Sequence, residues 1–92
     1  MTKKKINIKA NNEDLKGDYS NLVRVLNKRE EFILDFLLTT GNSGILSSRI
    51  IVSPDHLKRI MGVLEKSIEK YEDEFGDIEE VEDTEAKIGF IK

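Results

Sequence analysis

The sequence predicts an α+β fold: a four-stranded antiparallel meander followed by one long C-terminal amphipathic helix packed on one sheet face. Three observations carry this expectation. From Glu31 to Thr39 the even positions Phe32, Leu34, Phe36 and Leu38 are apolar, the period-two face of a strand. Thr40-Gly-Asn-Ser-Gly44 then supplies residues that tolerate positive φ, and Ile45 to Val52 returns as a partner strand. Finally, Ser53-Pro54-Asp55 is a helix start: a capping hydroxyl, a proline where the N–H would be orphaned anyway, and a carboxylate at the positive end of the dipole.

The remaining elements follow in order. Ile6-Asn-Ile8 alternates and reads as a short first strand. Asn11 to Gly17 is turn-rich and reads as a loop. Tyr19 to Leu26 is mostly aliphatic or β-branched, a second strand, and Asn27-Lys-Arg-Glu30 is a connection of hairpin length. After Pro54 the residues Leu57, Ile60, Met61, Leu64, Ile68, Tyr71 and Phe75 recur at helical spacing, on an arc of about 100°. Gly76 closes the helix as a cap. One α+β domain is therefore expected over 1–76, with 77–92 an acidic, mobile tail whose apolar end, Ile88-Gly-Phe-Ile91, either frays or docks on its own domain or a neighbour.

Composition bounds the function. With 92 residues the chain is one small domain whose core alone gives marginal stability. It has no cysteine, so neither a disulfide framework nor a thiolate metal cage can reinforce it, and oligomerisation is the remaining common device. No segment approaches the roughly 20 apolar residues of a membrane span. The basic Met1-Thr-Lys-Lys-Lys5 leads into no apolar run, which argues against a signal peptide, and a cytoplasmic protein is expected. A net charge of −3 disfavours nucleic-acid binding, which needs a basic face to displace phosphate counterions.

Strand arithmetic adds a candidate site. Folding the third and fourth strands about the centre of their loop places Phe32 against Val52, Leu34 against Ile50, Asp35 against Arg49 and Leu38 against Leu46. Folding the second strand through a four-residue hairpin brings Arg24 to Asp35, Val23 to Phe36 and Val25 to Leu34. Apolar then meets apolar on the face that takes the helix. The other face presents a row of Arg24, Asp35 and Arg49 flanked by Leu22, Leu26, Ile33, Leu37 and Ile51. A solvated outer face should be mostly polar. Half-aliphatic as it is, this one calls for a second layer that a single helix cannot supply, and a neighbouring subunit would. These eight residues are the expected protein-interaction site.

No catalytic, cofactor or metal constellation is expected. His56 is the only histidine, a metal site needs further converging ligands, and an exposed position in the first helical turn accounts for it. The runs Glu72-Asp-Glu74 and Glu79-Glu80 lack the alternation and central glycine of a calcium loop. Gly17, Gly41 and Gly44 match no phosphate-cradling spacing. Gly62 lies inside the helix away from the apolar arc, at a cost of roughly 1 kcal/mol relative to alanine, either tolerated or kept for close approach by another backbone.

The assembled motifs, Tyr19-Ser-Asn-Leu22, Glu31-Phe-Ile-Leu-Asp-Phe36, Ser48-Arg-Ile-Ile-Val-Ser-Pro-Asp-His-Leu-Lys-Arg59 and Lys70-Tyr-Glu-Asp-Glu-Phe-Gly76, resemble the domain-of-unknown-function family numbered 3467, short bacterial and archaeal proteins. Members often carry a longer, proline-containing segment where this chain has Thr39 to Gly44. The resemblance implies a fold and a cytoplasmic setting, and no activity. The element order is also similar to that of the SecB export chaperone, a likeness of topology that does not establish function.

The expected function is that of a non-enzymatic interaction or scaffold module acting as a homo-oligomer, dimer or tetramer, with itself or another protein as partner and no nucleic acid, membrane or small-molecule ligand. The alternative is a SecB-like holdase that binds unfolded polypeptides. The expected core is one buried cluster of Phe32, Leu34, Phe36, Ile50, Val52, Leu57, Ile60, Met61, Leu64 and Ile68.

Overall fold

The computed structural model describes residues 5–81 and 90–91. Its elements are α1 (Asn12–Lys16), β1 (Leu22–Asn27), β2 (Phe32–Thr40), β3 (Ser43–Val52), α2 (Pro54–Phe75) and β4 (Phe90–Ile91). The chain is α+β, and β1, β2 and β3 form an antiparallel meander with β2 in the middle.

The hairpins follow local chemistry. Between β1 and β2 the Lys28 N–H donates to the Glu31 carbonyl (2.9 Å), closing a four-residue connection below the Asn27–Phe32 pair. Between β2 and β3 the turn is tighter than expected. Thr40 pairs with Ser43, leaving Gly41 and Asn42 as a two-residue loop with Gly41 at φ 58°. A glycine with positive φ at the first central position is the signature of a type II′ hairpin, whose twist matches that of the strands it joins.

This turn sets a register one residue out of step with the rest of the hairpin. Near the loop Leu38 pairs with Ile45 and Leu37 with Leu46, whereas Phe36 pairs with Ser48, Asp35 with Arg49 and Phe32 with Val52. The mismatch is absorbed by a bulge that leaves Ser47 unpaired. The expected Leu38–Leu46 pair is thereby corrected, while the expected pairs beyond the bulge are found, as are Val23–Phe36, Arg24–Asp35 and Val25–Leu34.

Three further expectations are corrected. Residues 6–8 are not a strand; three residues of weak alternation with no partner edge cannot hold a ladder. Residues 12–16, read as loop, form a short helix because Asn11 and Asp14 make a capping box. The Asn11 side chain accepts from the Asp14 N–H (2.8 Å), and the Asp14 carboxylate accepts from the Asn11 N–H (3.1 Å). The fourth strand is instead Phe90–Ile91, and it lies parallel to β1, with Val25 opposite Phe90 and Leu26 opposite Ile91. A chain that returns to a sheet through a long crossover can enter in parallel, which a hairpin cannot. The sheet order is β3-β2-β1-β4. Most of the tail expected to be mobile, 82–89 and 92, lies outside the described residues.

The helix α2 has the expected bounds and caps. The Ser53 hydroxyl accepts from the His56 N–H (3.2 Å), Pro54 stands in the first turn, and Gly76 at φ 97° donates its N–H to the Glu72 carbonyl. The helix does not pack across the sheet as expected. No residue of α2 is buried, and tertiary contact is concentrated between strands. Only Ser53 separates β3 from α2, whereas strand–helix connections that fold a helix back on its sheet commonly take two to six residues. The expected core is corrected accordingly. Val52 is buried, but Ile50, Met61, Leu64 and Ile68 are exposed, and the other buried residues among those described, Ile33 and Asp35, lie on the opposite sheet face.

Candidate protein-interaction site

Strand alternation and register build this site. Arg24, Asp35 and Arg49 are direct cross-strand partners on three neighbouring strands, so their side chains rise from the same face of the sheet. Asp35, central in the row, is only 4% exposed. Arg49 grips it in bidentate fashion, Nε donating to Oδ1 at 2.7 Å and Nη2 to Oδ2 at 2.9 Å. From the other side Arg24 Nη2 donates to Oδ2 at 3.2 Å. Among the described residues no buried side-chain nitrogen or oxygen lacks a hydrogen-bond partner. The row is an ion-paired unit, with Asp35 bonded from both sides and one surplus positive charge.

The electrostatics follow from the geometry. The hydrogen bonds from Arg49 are the main reason that the Asp35 carboxyl is lowered from 3.8 to about 2; burial opposes them, and Arg24 and the two positive charges add to them. Arg49 is raised in turn, by its hydrogen bonds to Asp35 and by the carboxylate's charge.

The aliphatic frame is present around the row. Ile33 is buried, Leu22, Leu26 and Leu37 are half-buried, and Ile51 is exposed. A cavity of about 240 Å³ lies beside the row, lined by Arg24, Leu26, Asp35 and Arg49. The bulge adds a residue that sequence arithmetic misses. Pairing Leu46 with Leu37 turns it onto this face, where a regular register would put it on the other. The signal for it was available in Gly41-Asn42, whose two-residue turn conflicts with the Asp35–Arg49 alignment.

The stretch before β1 anchors the edge of the site. Asn21 acts as an extra rung of ladder: its Oδ1 accepts from the Thr39 N–H (2.9 Å) and its Nδ2 donates to the Thr39 carbonyl (3.0 Å). The Ser20 hydroxyl lies 3.0 Å from the Leu37 carbonyl. Ser47, set free from the ladder by the bulge, donates its hydroxyl to the Tyr19 carbonyl (3.0 Å). The bulge and the Tyr19–Leu22 motif are therefore one device, which ties the chain entering β1 across β2 to β3.

His56 is exposed at the start of α2. Among the described residues no group of three or more histidine, aspartate or glutamate side chains is placed to hold a metal ion, and no helix is long and apolar enough to cross a membrane.

No curated protein and no solved structure matches the chain, so the likeness to SecB has no support beyond element order, which the uncovered helix and the parallel β4 already break. The profile of the family described as "Protein of unknown function (DUF3467)" matches residues 1–80, a span that includes the Tyr19–Leu22 anchor, the Arg24–Asp35–Arg49 row and the whole of α2. The chain belongs to the DUF3467 family.

Proposed function

We propose that this protein is a non-enzymatic interaction module that works as a homo-oligomer, and that the face carrying Arg24, Asp35 and Arg49 with Leu22, Leu26, Ile33, Leu37 and Ile51 is the surface its partner protein meets. One observation carries the reading: α2 exposes its apolar side along its length, with Met61 59%, Leu64 53% and Ile68 49% accessible. Contiguous apolar surface of that kind marks association in a monomeric unit of this size. The row suits recognition because Asp35 fixes the Arg49 guanidinium by two hydrogen bonds and tethers Arg24 by a third, so that less side-chain entropy is lost when a partner covers them.

Sedimentation at several protein concentrations tests the oligomer. A species of twice the chain mass or more is expected, and a monomer at high concentration would remove the reading. The exposure of Ile45, Leu46, Ile50 and Ile51 along the edge strand β3 favours a second reading, a holdase for unfolded chains. A holdase suppresses aggregation of several unrelated clients, whereas a dedicated module leaves them unprotected.

A further inference from the structure

The apolar positions of α2 are more regular than amphipathicity requires. Leu57, Met61, Leu64, Ile68, Tyr71 and Phe75 succeed one another at steps of four, three, four, three and four residues. That is the 3.5-residue period of a coiled-coil seam, which keeps one narrow stripe facing a partner helix. The seam runs almost the full length of Pro54–Phe75, and at its far end Tyr71 and Phe75 already meet as a tilted ring pair, 5.0 Å between centroids.

We propose that α2 pairs with α2 of a second copy as an antiparallel coiled coil about a two-fold axis. The proposal rests on the homo-oligomer reading and says which surface makes the oligomer. In this alignment Leu57 meets Phe75 of the second copy, Met61 meets Tyr71 and Leu64 meets Ile68. Symmetry repeats each pair, so the whole stripe is covered without overhang.

Charge selects the direction. The start of α2 carries Lys58 and Arg59 against the single Asp55, which pairs with Arg59, while its last two turns carry Glu69, Glu72, Asp73 and Glu74 against the single Lys70. Parallel pairing would stack the two acidic ends and align the helix dipoles. Antiparallel pairing sets each basic start beside an acidic end and opposes the dipoles. Beside the seam Lys58 faces Glu72 of the second copy, twice in the dimer. Glu65 meets its own symmetry mate at the axis, a like-charge contact at the solvent-facing margin. Gly62 and Glu69 lie on the outer side, away from the seam.

The test uses a chain that has no cysteine of its own. Lys58→Cys and Glu72→Cys variants, mixed and treated with a short bis-maleimide, should give a cross-linked dimer in the mixture and far less in either variant alone. Equal cross-linking of one variant alone, or none in any sample, would overturn the antiparallel seam. In parallel, Leu64→Glu should raise the dimer dissociation constant about tenfold per copy, about a hundredfold for the symmetric pair. Leu64 is half exposed in the single chain, so the variant's circular dichroism should stay that of a folded domain; if it does not, the cross-linking result decides. A wild type that sediments as a monomer sinks both this proposal and the homo-oligomer reading. A wild-type oligomer left unchanged by Leu64→Glu sinks the helix seam alone.

Discussion

At the residue scale the molecule turns on Asp35. A carboxylate in the middle of a sheet is costly to bury unless charge and hydrogen bonds compensate, and here two arginines from the flanking strands do so. The pH dependence follows from the lowered carboxyl. Because the folded value of about 2 lies below the ordinary 3.8, Asp35 binds its proton less readily when folded. Its contribution to stability is therefore complete above pH 3.8 and is lost as pH falls through about 2. Urea unfolding of the wild type and of Asp35→Asn should show a gap that is constant near neutrality and narrows across that acid window. A gap independent of pH there would mean that the ion pairs add nothing to folding.

At the scale of elements, the bulge and the caps show local rules competing. The type II′ turn at Gly41-Asn42 demands one register, and the pairing of Asp35 with Arg49 demands the next. One unpaired serine reconciles them, and its freed hydroxyl fixes Tyr19. Helix α2 has its expected caps at both ends, but it carries Glu72, Asp73 and Glu74 against the dipole in its last turn and Gly62 in its interior, where an added Cβ would meet nothing within 4 Å. Gly62→Ala should therefore stabilise the protein by about 1 kcal/mol, read as a higher urea midpoint with more helical ellipticity. Destabilisation would mean that another backbone approaches that side of the helix in the assembled protein.

At the scale of the whole molecule, burial is thin. The buried apolar residues among those described are Ile33 and Val52, and neither is fully shielded, while a helix of 22 residues buries none of its own. If α2 is covered by a second copy as proposed, the fold gains stability from that copy by mass action. Its thermal midpoint should rise with protein concentration, and Leu64→Glu should flatten that dependence. An invariant midpoint in the wild type would place all of its stability within one chain.

What the sequence determined by itself is everything governed by short-range rules. Period-two and helical spacing located three strands and both ends of α2, and counting across hairpins put Arg24, Asp35 and Arg49 in one row, because register beyond a hairpin follows from face matching. The short helix after Asn11 was also legible, in the Asn11–Asp14 capping pair, though turn-rich composition masked it. Tertiary structure decided the rest. Leu46 changed faces because a turn and an ion pair, each local, conflicted over a distance. The fourth strand came from the far end of the chain, since two residues carry too little pattern to be told from a loop until an edge is there to receive them. The direction in which α2 leaves the sheet was likewise undetermined. Periodicity specifies that a helix has an apolar side; what covers that side depends on where one connecting residue can point it.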